Sequence, residues 1–267
     1  MLKVGIVGAG TIGRTVAQAI DRGEVRAELV GITGRTPERA RALAASLACR
    51  PPVLELDELI ARSDLVVEAA GGVATETIAP RTLEKGKNLM VLSGGALLGR
   101  DDWFALAEAR GARILVPSGA IVGLDGVKAA CLGPVRSVTI ESRKPPAGLA
   151  GSPYVVEHGI NLDALTQETL IFEGNALDAC KAFPANVNVS AALSLAGVGP
   201  QKTRVKVLCV PGGRFNMHDI VVEGEFGSLR THVENVPTET NPRTGRLAAM
   251  SAVAMLKSLT ATLCVGT

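Results

Sequence analysis

Hydrophobic and polar positions change their period along this chain, and the change divides it in two. From Lys3 to about residue 120, short apolar runs alternate with longer stretches of helical spacing. The runs Lys3–Val7, Ala27–Thr33, Asp64–Ala69, Asn88–Leu92 and Arg113–Val116 predict strands. Helices are predicted over Thr11–Ile20, from Pro37 through the apolar positions Ala40, Leu43, Ala44 and Leu47, and over Ala74–Lys85. A further helix, N-capped by Asp101 or Asp102, ends near Gly111. Apolar strands separated by helices imply a parallel sheet with crossover helices. After Gly123 the texture changes. Val135–Arg143 and Val205–Val210 read as strands, and Ile220–Val233 is a long alternating run suited to antiparallel pairing. Leu177–Ala182 and Val189–Leu195 read as helices, and a last one, Leu247–Thr260, is expected to return to the first half.

The junction of first strand and first helix, Val4–Gly13, reads V-G-I-V-G-A-G-T-I-G. Gly8 permits a sharp turn, Gly10 lets main-chain N–H groups approach a pyrophosphate, and Gly13 lets helix and strand pack closely. Thr11 and Ile12 open the helix, whose positive end faces the phosphates. The fold class that follows is α/β. A Rossmann dinucleotide-binding domain spans residues 1–120 and is completed by the C-terminal helix within 246–267. An α+β substrate and dimerisation domain with a mixed or antiparallel sheet spans 121–245. Small residues after the strands, among them Ala70, Gly71, Ser93 and Ala120, are expected to line the cofactor crevice. The second strand ends in Thr33-Gly34-Arg35-Thr36, with no carboxylate for a ribose 2′-hydroxyl. A guanidinium and a hydroxyl suit a 2′-phosphate, so NADP is favoured over NAD, with dual use open.

Composition narrows the classes. The chain has 267 residues, 47% hydrophobic and 20% charged, which is globular and long enough for two cores. A net charge of +2, with no basic tract carrying aromatics, speaks against nucleic acid. The apolar stretch Leu247–Leu256 is too short to span a bilayer and no leader precedes the first strand, so a cytoplasmic protein is expected. Five scattered cysteines, Cys49, Cys131, Cys180, Cys209 and Cys264, read as reduced core thiols, and no metal site is expected.

Hydride chemistry belongs to the cofactor, so the protein must supply orientation, charge pairing and a proton carrier. His158 and His232 read as surface side chains. His218 follows the turn Pro211-Gly212-Gly213 at the mouth of a strand and is either a catalytic acid/base or a structural residue. Arg143-Lys144-Pro145-Pro146 ends a strand with two cations that suit a substrate carboxylate or are simply solvated. Asn186 and Asn188 precede a helix; one serves as N-cap, and Asn186 alternatively contacts nicotinamide or substrate. Asn188 joins Arg143 and Lys144 as a substrate candidate. Asn241–Gly245 reads as a helix-entry turn.

Five segments, Pro117-Ser118-Gly119-Ala120-Ile121-Val122-Gly123-Leu124-Asp125, Ile171-Phe172-Glu173-Gly174, Phe183-Pro184-Ala185-Asn186-Val187-Asn188-Val189, Asn216-Met217-His218-Asp219-Ile220 and Asn241-Pro242-Arg243-Thr244, together resemble the L-aspartate dehydrogenase family over nearly the whole chain. The resemblance implies nicotinamide-dependent oxidation of L-aspartate to iminosuccinate, which hydrolyses to oxaloacetate and ammonia, and the reverse reductive amination. It also implies a supply of iminosuccinate for pyridine nucleotide synthesis, His218 as catalytic acid/base, cofactor contacts at Ala120 and Asn186, and a homodimer. Two alternatives remain at this stage. One is a reductase of another small dicarboxylic imine or semialdehyde, as in the homoserine dehydrogenase and dihydrodipicolinate reductase families, although the paired His-His segment expected of the latter is missing. The other is a non-catalytic dinucleotide-binding sensor.

Overall fold

The computed structural model describes residues 1–184, 188–238 and 241–266, except for the side chains of 241–244. It divides into two compact units, one of Met1–Pro117 with Ala249–Val265, the other centred on Ser118–Ala248.

In the first unit the order is β1 (Leu2–Val7), α1 (Thr11–Asp21), β2 (Ala27–Thr33), α2 (Pro37–Ala45), α3 (Leu56–Arg62), β3 (Leu65–Glu68), α4 (Gly72–Glu84), β4 (Asn88–Val91), α5 (Asp101–Ala109) and β5 (Ile114–Leu115). All pairings are parallel and the sheet order is β2-β1-β3-β4-β5. Beyond β2 lies a reduced sixth position. Val53 bridges Ile32 in parallel, with the Ile32 N–H donating to Pro52 and the Leu54 N–H to Ile32. Counting that bridge, the order is the Rossmann 3-2-1-4-5-6, with its third strand shrunk to one residue. The order reverses between β1 and β3, so the crevice opens where Gly8 and Ala69 leave the sheet.

The glycine turn is built by contact. Gly8 has φ +114, and a Cβ on it would lie 2.3 Å from the Ala69 carbonyl oxygen. A Cβ on Gly13 would lie 1.9 Å from the Gly8 oxygen, so α1 rests directly on the turn. A Cβ on Gly10 would meet nothing within 4 Å. One face of the sheet carries a core of Val4, Ile6, Val16, Ile20, Ile32, Leu43, Leu65 and Val67, each worth about 1.5–3 kcal/mol of burial. Ala252 and Leu256 of α11 (Arg246–Thr260) complete that core, so the last helix does return to the first unit.

The second unit contains α6 (Leu124–Ala130), β6 (Val135–Lys144), α7 (Pro146–Leu149), α8 (Pro153–Glu157), β7 (Thr169–Asn175), α9 (Ala176–Ala182), α10 (Asn188–Ala196), β8 (Thr203–Cys209), β9 (Asn216–Gly224), β10 (Gly227–Asn235), β11 (Pro237–Thr238) and β12 (Asn241–Gly245). Five strands form a mixed sheet, β10-β9-β6-β8-β7, in which only β6 and β8 run parallel. The alternating run from Ile220 folds into the hairpin β9–β10 around Glu225-Phe226. Helices α6, α9 and α10 cover one face and the other is charged, as strand alternation requires of a half-buried sheet.

Three local expectations are corrected. Asn241–Gly245 is a short strand paired with Pro237–Thr238, not a helix-entry turn. Arg100, not an aspartate, sits at the N-cap of α5; Asp101 and Asp102 fall in the first turn, where Asp102 accepts from the Arg100 guanidinium, which lies 3.7 Å over the Trp103 ring. Cys49 and Cys264 are exposed rather than in the core.

Because the Gly13 clash is backbone against backbone, Gly13→Ala should cost more than about 2 kcal/mol, whereas Gly10→Ala should cost less than about 1 kcal/mol. Urea unfolding of the two variants checks this; equal losses would contradict the close-contact account.

Candidate functional site

The first unit has the features of a dinucleotide cradle. Helix α1 starts at Gly10 with no side-chain cap and no acidic residue in its first turn, so its positive end meets no negative charge of its own. Gly10 is exposed and its missing side chain leaves open space, which a diphosphate can fill without steric conflict. Thr11 and Ile12 are half-buried on the first turn, and Gly13 is buried beneath it. Arg35 and Thr36 are exposed between β2 and α2, and Arg35 makes no ion pair among the described residues. Ala70 and Gly71 are exposed beyond β3, while Ser93 is buried beyond β4. Both loops are held by a residue that sequence reasoning missed, Glu68, whose carboxylate accepts from the Ala70, Gly71 and Ser93 main chains.

The second unit holds a buried polar cluster. In-facing residues of β6 read Val138, Ile140, Ser142, Lys144, and those of β9 read Asn216, His218, Ile220, Val222. The face is therefore apolar in its middle and polar at one end. Ser142 pairs with His218 in register, and its Oγ lies 2.9 Å from His218 Nδ1. His218 Nε2 has no hydrogen-bond partner among the described residues. Lys144 is 3% exposed, and its ammonium makes no hydrogen bond or ion pair among the described residues. Gly148 of α7 sits over Lys144 and Asn216: a Cβ there would lie 3.5 Å from Lys144 Cβ and 3.6 Å from Asn216 Oδ1.

Burial dominates the electrostatics of this cluster. It pulls the Lys144 ammonium down to about 8. It pulls His218 down to about 3, with the neighbouring Lys144 charge acting in the same direction. His218 is thus neutral throughout the physiological range. The tautomer with its proton on Nδ1, donated to Ser142, leaves Nε2 as a bare base.

The two cations proposed as a pair separate. Strand alternation turns Arg143 to the opposite face, where Glu141 (3.0 Å), Glu168 (3.1 Å) and Asp219 (2.5 Å) engage its guanidinium. Its donors are spent on three carboxylates, away from Lys144. His232 lies on that outer face, bonded to Asp219, and His158 is exposed against Tyr154, as expected of both. Ala120 is buried, its carbonyl accepting from Asn235 Nδ2 at 2.9 Å. Asn188 opens α10 with a half-buried side chain. Asn186 lies outside the described residues. Ser142, Asn216 and Asn235 escaped notice, yet each is a polar residue at an in-facing strand position, a signal the alternation carries.

Comparison with known proteins bears on both units. A family model described as aspartate dehydrogenase, C-terminal, matches residues 125–259, and one described as homoserine dehydrogenase, NAD binding domain, matches residues 8–117. The chain is 49% identical to the L-aspartate dehydrogenase of Methanosarcina acetivorans over all of both chains. It is 43% identical to that of Bradyrhizobium diazoefficiens, over 100% of this chain and 94% of the relative. Among solved structures, aspartate dehydrogenase from Thermotoga maritima shares the fold with a TM-score of 0.75 at 24% identity, covering 100% of each chain. A homoserine dehydrogenase from Thiobacillus denitrificans follows at a TM-score of 0.63 and 15% identity, covering 97% of this chain and 73% of that one.

Lys144→Met should stabilise the protein at pH 7 by about 1–3 kcal/mol, since an apolar side chain of similar length replaces a buried charge that is unpaired among the described residues. The sign of the pH dependence follows from the depressed value. Between about 8 and the ordinary lysine value of 10.5 the unfolded chain retains a proton that the folded chain has released. Wild-type stability therefore gains on the variant through that window, and the difference fades above it. Denaturant unfolding at pH 7 and 10 tests this; a destabilised variant at pH 7, or a pH-independent gap, would contradict it.

Proposed function

The chain belongs to the L-aspartate dehydrogenase family, and from that premise we propose that it catalyses the NAD(P)-dependent oxidative deamination of L-aspartate and the reverse reductive amination of oxaloacetate. The observation that carries the reading is the buried Lys144 ammonium, with no counter-ion among the described residues, beside a buried neutral histidine. A buried cation calls for an anion, and a dicarboxylic amino acid brings two.

The division of labour follows from the residues. The glycine turn and the start of α1 hold the diphosphate of the nicotinamide cofactor, which when bound supplies the hydride acceptor. Gly8, Gly10, Thr11, Ile12 and Gly13 form that anchor, and Ala70, Gly71, Ser93, Ala120 and Asn186 are the remaining cofactor candidates. NADP is the favoured cofactor: no acid follows β2, and exposed Arg35 and Thr36 are available to a 2′-phosphate. Lys144 anchors a substrate carboxylate, with Asn188 as a second polar contact. His218 Nε2 takes the proton that the α-ammonium must lose before hydride departs, with Ser142 fixing the ring. The carboxylate on Lys144 offsets one of the two causes that hold His218 neutral, so the base strengthens as substrate docks. Water then attacks the iminosuccinate to release ammonia and oxaloacetate. The enzyme is proposed to act as a cytoplasmic homodimer.

Absorbance of reduced cofactor tests the reading. Loss of NADPH or NADH should require oxaloacetate and ammonium together; loss without ammonium would mark a plain keto-acid reductase. His218→Ala should lower kcat by about 10²–10⁴-fold with cofactor affinity unchanged. Lys144→Met should raise KM for aspartate at least ~10-fold, the size expected for a lost charge-assisted contact. Unchanged KM would remove Lys144 from substrate binding.

A further inference from the structure

Resting on the cofactor reading of the first unit, we propose that Glu68 is a positioning residue for the dinucleotide: its carboxylate ties the loops after β3 and β4 into one binding-competent cradle. Glu68 closes a strand whose other members, Leu65, Val66 and Val67, are apolar and buried, and it is itself 0% exposed. An acid in such a place is costly unless every lone pair is met. Four donors meet it. Oε1 accepts from the Ala70 N–H at 2.8 Å, the Gly71 N–H at 2.9 Å and the Ser93 hydroxyl at 3.2 Å, while Oε2 accepts from the Ser93 N–H at 3.1 Å. No cation pairs with it among the described residues, so its charge rests on loop donors.

The loop after β3 lies at the point where the strand order reverses, and it reaches the glycine turn. Glu68 pairs in register with Val7, and the next residue, Ala69, presents the carbonyl against which Gly8 is packed. Gly71, held by Glu68, has φ +99 and is the N-cap of α4, so the same carboxylate fixes where that helix begins. A negative group beside a helix start is also favoured by the helix dipole. One consequence is a division of chemistry along the crevice. The Ala70, Gly71 and Ser93 N–H groups are already used, and the Gly71 and Ser93 carbonyls accept in turn from Ala74, Thr75 and Ala96. Anion binding falls to the turn at Gly8–Gly13, and the Glu68-held loops contribute a fixed main-chain wall.

Fluorescence titration with NADH and NADPH tests the assignment on wild type and Glu68→Gln, with melting of the cofactor-free proteins recorded alongside. The glutamine keeps size but turns an N–H₂ toward a main-chain donor, so Kd for both reduced cofactors should rise at least ~10-fold. A folded Glu68→Gln protein with Kd within about twofold of wild type would overturn the proposal, whatever its melting temperature. Should that variant not fold, hydrogen exchange on cofactor-free wild type decides. The Ala70, Gly71 and Ser93 amides should be protected by ~100-fold or more, and exchange at open-loop rates would overturn the proposal. A wild-type protein that binds neither cofactor would instead overturn the cofactor reading itself.

Discussion

A lysine ammonium buried beside a buried histidine, with no counter-ion among the described residues, is the constraint around which the second unit is organised. Its sheet covers an apolar interior with Val138, Ile140, Ile220 and Val222, then places Ser142, Lys144, Asn216 and His218 on the same face over the last rungs. Folding gains nothing from that substitution, since burial depresses both titratable groups and each lowers stability relative to an apolar residue. Such a cluster persists where function needs it. Burial keeps His218 unprotonated and the charge of Lys144 adds to it, so the same buried cation that attracts an anion also helps prime the base.

The first unit meets its own constraint by other means. Its crevice is shaped by main chain rather than side chain: Gly13 against Gly8, Gly8 against Ala69, and the Glu68 carboxylate holding Ala70, Gly71 and Ser93. Each of these is a short-range contact across the carboxyl ends of β1, β3 and β4. The open space at Gly10 is what remains once those contacts are made. The aliphatic core beneath, completed by Ala252 and Leu256 from the last helix, keeps the strand ends in register.

Much of this was legible in the sequence because period and glycine spacing are local signals. The parallel strands, the turn at Gly8, the mixed character of the second sheet and the return of the last helix all follow from patterns a few residues long. The third Rossmann strand was not legible, because it survives as a single bridge at Val53 with no run to reveal it. At the second site, adjacency misled. Arg143 and Lys144 are neighbours in sequence, yet a period of two sends them to opposite faces, one to three carboxylates and one to His218. Read with the same alternation, Ser142 and Lys144 form the true pair. Glu68 was visible as a lone acid ending the apolar run D-L-V-V-E-A, but of its partners only Ala70 and Gly71 are local, and Ser93 is brought to it by a tertiary contact 25 residues on.

The central claim is that burial, reinforced by the Lys144 charge, holds His218 neutral. Nitrogen-edited NMR of the His218 imidazole in the free protein, titrated from pH 8 to 4, tests it directly. Neutral-ring shifts that persist to about pH 4 or until the protein unfolds, with Nδ1 carrying the proton, are the predicted result. A midpoint near the ordinary histidine value, about 6.5, would mean that the ring meets solvent and that the buried base does not exist.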